Sequence, residues 1–215
     1  LKSELRPSQP TSPALLLRRL HLDLAGIPPT PDQIRKFEMY VATDAQSATA
    51  AAIDELLESP QYGERWGRHW LDVARYSDGF GGFLDNSAQP DAWRYRDWVI
   101  NAFNNDMPYD EFVRQQIAGD LISDSHDSAI ATGFFALGPT YRSDGGDPEA
   151  VAQAKSETLD DRLDTLSRGF MAITVACARC HDHKFDPITH KDYYSLAGVF
   201  NNSVLNQYPL VENAT

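Results

Sequence analysis

Both cysteines of this chain fall within five residues, Cys177-Ala178-Arg179-Cys180-His181. No other feature restricts the fold as strongly. Two thiols three positions apart lie on one side of a helical turn. Both can then add to the two vinyl groups of one porphyrin, and the next residue, His181, falls under the iron as proximal ligand. The run C-x-x-C-H is the attachment signature of c-type haem. It is read here as one covalent haem c, held by Cys177 and Cys180 and ligated by His181. Two other readings stay open, a zinc or structural pair and a simple disulfide. A structural zinc needs four N or S ligands. Cys177, Cys180, His181 and His183 supply four, but within seven residues they strain a tetrahedral shell. A thioredoxin-like pair follows a strand in a βαβ pattern, whereas a long helical stretch precedes this motif.

The bulk properties fit a secreted or periplasmic globular domain. A length of 215 residues suits one domain, and 42% apolar residues suffice for a sizeable core. No run approaches the 18 or more apolar residues of a membrane span. The net charge of −12 opposes nucleic-acid binding, which needs a basic face. It favours cationic partners such as a basic electron carrier, beside the plainer role of solubility. The sequence opens at Leu1 with no charged and apolar leader, so a signal peptide is expected to be removed or to lie outside it.

Helix signals recur along the chain. Ser12-Pro13 is an N-cap with proline at the first helical position, and a Leu-rich helix follows from Ala14 to Ala25, ending at Gly26. Thr30 and Gln33 form a capping box for a second helix to about Val41. A third spans about Ala45 to Glu58, before Ser59-Pro60. A fourth spans about Tyr62 to Tyr76, with an apolar face of Tyr62, Trp66, His69, Trp70 and Val73. Ser77 to Pro90, with Gly79, Gly81, Gly82, Asp78, Asp85 and Asn86, reads as a loop of about a dozen residues, a length often functional. Helices resume over Ala92 to Phe103 and Tyr109 to Leu121. After a polar loop, Ser123 to Ser128, the apolar Ala129 to Leu137 fits helix or strand. A second Gly/Asp/Pro loop spans Gly138 to Pro148. The longest helical reading, Glu149 to about Ala176 with a bend at Gly169, runs directly into the motif. A short helix from Lys191 to Phe200 precedes a polar tail. The expected fold is mainly α, a single helical domain over residues 1–215.

Several segments together carry a family resemblance. They are Leu17 to Leu20, Leu22 to Thr30, Tyr62 to Trp66, His69 to Asp72, Ala74 to Tyr76, Tyr95 to Ile100, Met107 to Asp110 and Gln116 to Leu121. Cys177 to Ile188 (CARCHDHKFDPI) and Asp192 to Tyr194 complete the set. The chain resembles the planctomycete-type cytochrome c-like domain family, a domain of unknown function. The resemblance covers nearly the whole chain. It implies a cytochrome c-like module excised from a larger exported multidomain protein, preceded by another cytochrome-like domain and followed by a further uncharacterised one. It implies no known reaction. In ordinary small cytochromes c the C-x-x-C-H run is near the N-terminus and a Met ligand lies towards the C-terminus. Here only 34 residues follow His181, so the fold need not be theirs.

The sixth iron ligand stays open. His69 is the first candidate, on an apolar helix face between Trp66 and Trp70, and a packed core histidine is the equal alternative. Met171 is placed on the motif's own helix and so cannot reach the opposite haem face. Met107 has the reach, but Met is more often a gap-filler, and Met39 is read as core. His183 is too close to His181 to swing distally and is assigned to a propionate, a backbone group or a second ion. His21 falls on the Leu-rich helix, while His126 and His190 read as loop-exposed. Tyr76 is a minor distal candidate, as phenolate or donor. An open, five-coordinate iron is the remaining case. Asp182 and Asp186 read as caps or salt bridges, with calcium as the oxygen-ligand alternative. Arg75, Arg94, Arg96 and Arg142 suit haem propionates, because Arg grips carboxylates bidentately. Surface ion pairs are the equal reading for each.

The favoured function is an electron-transfer module, more than a catalyst, that exchanges electrons with a redox partner protein or neighbouring domains of its own chain. The first alternative is a five-coordinate haem enzyme or small-ligand sensor. A weaker one is a zinc- or calcium-stabilised binding module of a secreted carbohydrate-related protein; no carboxylate pair can be assigned to glycosidase chemistry. Haem attachment implies an exported protein, periplasmic or at the cell surface.

Overall fold

Local capping chemistry starts most of the helices. The structure, a computed structural model, describes residues 8–79, 88–123, 125–141 and 146–204. The chain is mainly helical. Its helices are α1 (Pro13–Leu24), α2 (Pro31–Val41), α3 (Ala45–Leu57), α4 (Pro60–Val73), α5 (Ala92–Asn104), α6 (Tyr109–Ile122), α7 (His126–Ala131), α8 (Gly133–Ala136), α9 (Pro148–Met171) and α10 (His190–Asn201). A 3₁₀ turn, Val175–Arg179, stands between α9 and α10. No strand occurs among the described residues; a single antiparallel bridge joins Gly79 to Ala88. The glycines, Asp85 and Asn86 expected between them, and Arg142, lie outside the described residues.

The chain divides into two compact units, Leu1–Arg68 with Phe103–Asn105, and His69–Ala102 with Asp106–Thr215. In the first unit Ser12 caps α1, Thr30 and Gln33 form the expected box on α2, and Asp44 caps α3. Leu17, Phe37 and Ala48 make its core, with Leu16, Ile34, Val41 and Ala52 against them. Met39, expected in the core, is 66% exposed, because it points off the face of α2 that carries Phe37. The start of α4 is served from far along the chain. The Asn104 side chain accepts from the Gly63 amide at 2.8 Å and donates to the Pro60 carbonyl at 3.2 Å.

The second unit is built on an aromatic core. Trp70 meets Phe112, Phe134 and Phe170, and Trp98 stacks between Tyr95 and Phe112. Gln116, fully buried, satisfies the polar atoms of two of these rings. Its Oε1 accepts from Trp70 Nε1 and from the Tyr95 hydroxyl, each at 2.7 Å, and its own amide donates to the Phe112 carbonyl. Buried groups of this kind are stable only when paired. The segment read as helix or strand, Ala129 to Leu137, is helical: it comprises the second half of α7 and all of α8, with Phe134 buried.

The longest helix departs from expectation at its end. It stops at Met171, short of the expected Ala176. Ala172 takes the left-handed conformation, φ 55°, and the amides of Ala172 and Ile173 both return to the Ser167 carbonyl. This is a C-terminal cap of the left-handed type. The motif therefore does not continue α9; it begins a new turn. Met171 is not on the motif's helix, so the reason given for excluding it does not hold.

Candidate functional site

The spacing of the motif is the period of the turn that carries it. A 3₁₀ helix has three residues per turn, so positions i and i+3 eclipse. Val175 and Ala178 fall on one line and are buried against Leu163 of α9 and Tyr193 and Ala197 of α10. Cys177 and Cys180 fall on another line, and both are exposed free thiols. Ala176 and Arg179 form the third. Apolar burial of one line thus fixes the outward direction of the two sulfurs.

His181 follows, also exposed, with Nδ1 2.7 Å from the Asp182 carbonyl. A carbonyl can only accept, so Nδ1 carries the hydrogen and the Nε2 lone pair faces outward. That is the tautomer an iron ligand requires. Asp182 is a cap, as one reading held: its Oδ1 accepts from the His190 amide at 2.7 Å, at the first turn of α10.

His183 is turned inward, its side chain 7% exposed. Its Nδ1 accepts from the Asp186 amide at 2.8 Å and the Phe185 amide at 3.2 Å. Its Nε2 lies 3.0 Å from Thr174 Oγ1. Because Nδ1 accepts, Nε2 carries the hydrogen and Thr174 receives it. The backbone role expected for His183 is the observed one. It joins the residue that enters the 3₁₀ turn to the loop that leaves the motif. It is therefore not gathered with Cys177, Cys180 and His181 into a four-ligand shell. Among the described residues no three His, Cys, Asp or Glu side chains are grouped so as to hold a metal ion.

Arg179, the middle residue of the motif, was not singled out by sequence reasoning. Its guanidinium reaches Asp160 Oδ2 at 3.2 Å and Ser156 Oγ at 2.8 Å, both on α9. Asp160 Oδ1 accepts from the Tyr193 hydroxyl at 2.6 Å. Burial, then the bond to Asp160, pushes the Tyr193 phenol well above its usual range. Desolvation weakens the Arg179 cation, but the Asp160 charge prevails and holds it above its usual value. Tyr194 Oη donates to the Arg179 carbonyl at 3.3 Å. The only sequence signal was the i, i+4 placement of Ser156 and Asp160 on one face of α9.

The remaining candidates are scattered. His69 is exposed, and so are Trp66 and Val73. The buried line of α4 runs instead through Gly63 and Gly67, with Trp70 alone of the expected stripe entering the aromatic core. Contacts descend α9 as the chain ascends α4. Trp70 meets Phe170, Val73 approaches Gly169, and Arg75 pairs with Asp161. The C-x-x-C-H turn folds back along α9 to Leu163, Asp160 and Ser156, so His69, beside the Trp70–Phe170 contact, stands at the opposite end of this crossing. Arg94 pairs with Asp91 and Arg96 with Asp97, both at 3.0 Å, so these cations have carboxylate partners within the chain. Tyr76 donates to Asp78 at 2.6 Å; burial first, and then that bond, raise its pKa, which favours donor over phenolate. His190, exposed as expected, opens α10, and half-buried His126 opens α7. His21 is buried, with Nδ1 lacking a partner.

The family model PSCyt2, a protein of unknown function (DUF1549), matches residues 1–204. This chain belongs to the PSCyt2 family. No curated protein and no solved structure matches it. Membership agrees with the planctomycete-type resemblance at the level of a domain of unknown function. No described helix is long and apolar enough to cross a membrane.

Proposed function

We propose that this PSCyt2 domain is a c-type cytochrome module that holds one haem covalently and transfers electrons. The observation that carries the reading is the 3₁₀ turn with Cys177 and Cys180 on one exposed line, followed by His181 with its Nε2 lone pair outward. The residues fit the group. Cys177 and Cys180 would hold the porphyrin as thioethers, each thiol adding across one vinyl C=C with its hydrogen passing to the neighbouring carbon. His181 is oriented by the Asp182 carbonyl. Bound there, the haem iron supplies a one-electron couple. His69, exposed on α4, is kept as the candidate distal ligand. Because c-type attachment takes place outside the bacterial cytoplasm, the reading carries export with it. A net charge of −12 suits a basic redox partner or neighbouring domains of the same chain.

The test is the mass and spectrum of the protein from a host competent in haem attachment. We expect the polypeptide mass plus one haem and a low-spin reduced spectrum. An unmodified mass would overturn the proposal. A high-spin spectrum would favour the five-coordinate enzyme or sensor. His69→Ala should convert low spin to high spin with the thioethers intact. An unchanged spectrum in that variant would remove His69 as ligand.

A further inference from the structure

We infer that Asp160 is a positioning residue for haem attachment, holding the C-x-x-C-H turn in its reactive shape before any cofactor arrives. The inference rests on the attachment reading, but the geometry lies wholly in the polypeptide. Asp160 divides its carboxylate between two elements. One oxygen takes the Arg179 guanidinium and the other takes the Tyr193 hydroxyl. Arg179 spans the same gap a second time through Ser156. Three of these four residues lie outside the motif, on α9 and α10, and the fourth sits between the two cysteines.

The 3₁₀ turn on its own is weak. It is five residues long and carries the poorer hydrogen-bond geometry of its class. Val175 and Ala178 give it one small apolar foot. The Asp160–Arg179 pair is only partly exposed, about a quarter for each side chain, so it is screened less than a surface pair. Rotation of the turn about its own axis would carry Arg179 off Asp160 and swing both sulfurs off their common line. The same anchor that fixes Arg179 therefore fixes where the two thiols point. Attachment needs both sulfurs on the same side of the turn, one for each vinyl group. A turn already holding them there spares the ordering cost that a flexible peptide meets at that step.

The experiment starts with the full chain made without attachment machinery. Amide hydrogen exchange across residues 175–182 is compared with that of a synthetic peptide of residues 172–190. We expect exchange in the full chain to be at least tenfold slower. Asp160→Asn should return it most of the way to the peptide rate. Arg179→Lys keeps the charge but loses the forked contact to Ser156, and should fall between. Asp164→Asn, one turn along α9 and paired with the exposed Arg168, makes the same charge change and should leave the turn protected. In an attachment-competent host, Asp160→Asn should lower the haem-bearing fraction several-fold at unchanged soluble yield and melting temperature. A purely structural role would lower yield and melting temperature together and leave that fraction alone. If Asp160→Asn does not fold, Arg179→Lys and Tyr193→Phe carry the same comparison. Exchange at the peptide rate in the unmodified chain, or an attached fraction unmoved by these variants, overturns the inference. If the unaltered protein acquires no haem, the cytochrome reading fails while the exchange arm still decides the anchor.

Discussion

Replacing His183 by Ala removes the side chain that closes the loop after the motif. Three hydrogen bonds go with it, to Thr174, Asp186 and Phe185. Each is worth about 0.5–1.5 kcal/mol net. Phe185 is 82% exposed, so water can take over at its amide; the other two contribute about 1–3 kcal/mol. Loss of the buried ring adds about 1 kcal/mol. We expect a total near 3 kcal/mol, and a fall in melting temperature of about 6–12 °C for a chain of this size. Because the chain forms two units, the local readout is amide exchange at Phe185 and Asp186, which should quicken sharply. His183→Asn supplies the discriminating comparison. Its Oδ1 stands where Nδ1 stood and can accept the same two amides in an Asx-type turn. Its shorter side chain cannot reach Thr174. The Asn variant should therefore recover about half of the loss. Equal losses in the two variants, or a His183→Ala cost below about 0.5 kcal/mol, would refute the assigned bonding.

Gln116→Leu should cost about 2–4 kcal/mol in denaturant unfolding, since it removes the acceptor of the buried Tyr95 hydroxyl and leaves Trp70 Nε1 only its longer bond to that hydroxyl at 3.3 Å. Tyr95→Phe should cost less beside Gln116→Leu than in the unaltered protein, because the hydroxyl has by then lost its acceptor and keeps only the 3.3 Å bond from Trp70; additive losses would reject the shared-acceptor reading. A Cβ at Gly119 would lie 1.9 Å from the Ser128 carbonyl oxygen, so Gly119→Ala should cost at least about 2 kcal/mol, and a neutral melting temperature would count against the close α6–α7 approach. Burial lowers the His21 pKa, against the opposing Glu55 charge and Ile27 backbone bond. The unfolded chain then binds more protons in the window just below about pH 6.5, so stability is fully present above that pH and declines as pH falls through the window. His21→Leu should flatten that slope in denaturation curves taken from pH 5 to 8; an unchanged slope would place the titration elsewhere.

Much of the fold was legible because its signals are local. Ser12 with Pro13, Thr30 with Gln33, and Gly26 mark helix ends through bonds made within a few residues. The C-x-x-C-H spacing likewise encodes a turn, because two side chains three apart can share one line only on a helical path. Which face of α4 is buried was not legible. Tyr62, Trp66, His69 and Val73 have the period of an apolar stripe, yet the buried line is Gly63 and Gly67. Glycine leaves no hydropathy signal, and its use there depends on what approaches it. The end of α9 was hidden too, since Ala172 carries the left-handed cap without a glycine to announce it. Asn104 serves the start of α4 from more than forty residues away, and Arg179 finds Asp160 only because α9 and the 3₁₀ turn share the core of Leu163, Val175 and Tyr193. The sequence alone determined the helices and the spacing of the C-x-x-C-H motif, because both depend on neighbours along the chain. The tertiary structure decided where that motif points and what holds it, because charge pairs and buried faces join residues that only folding brings together.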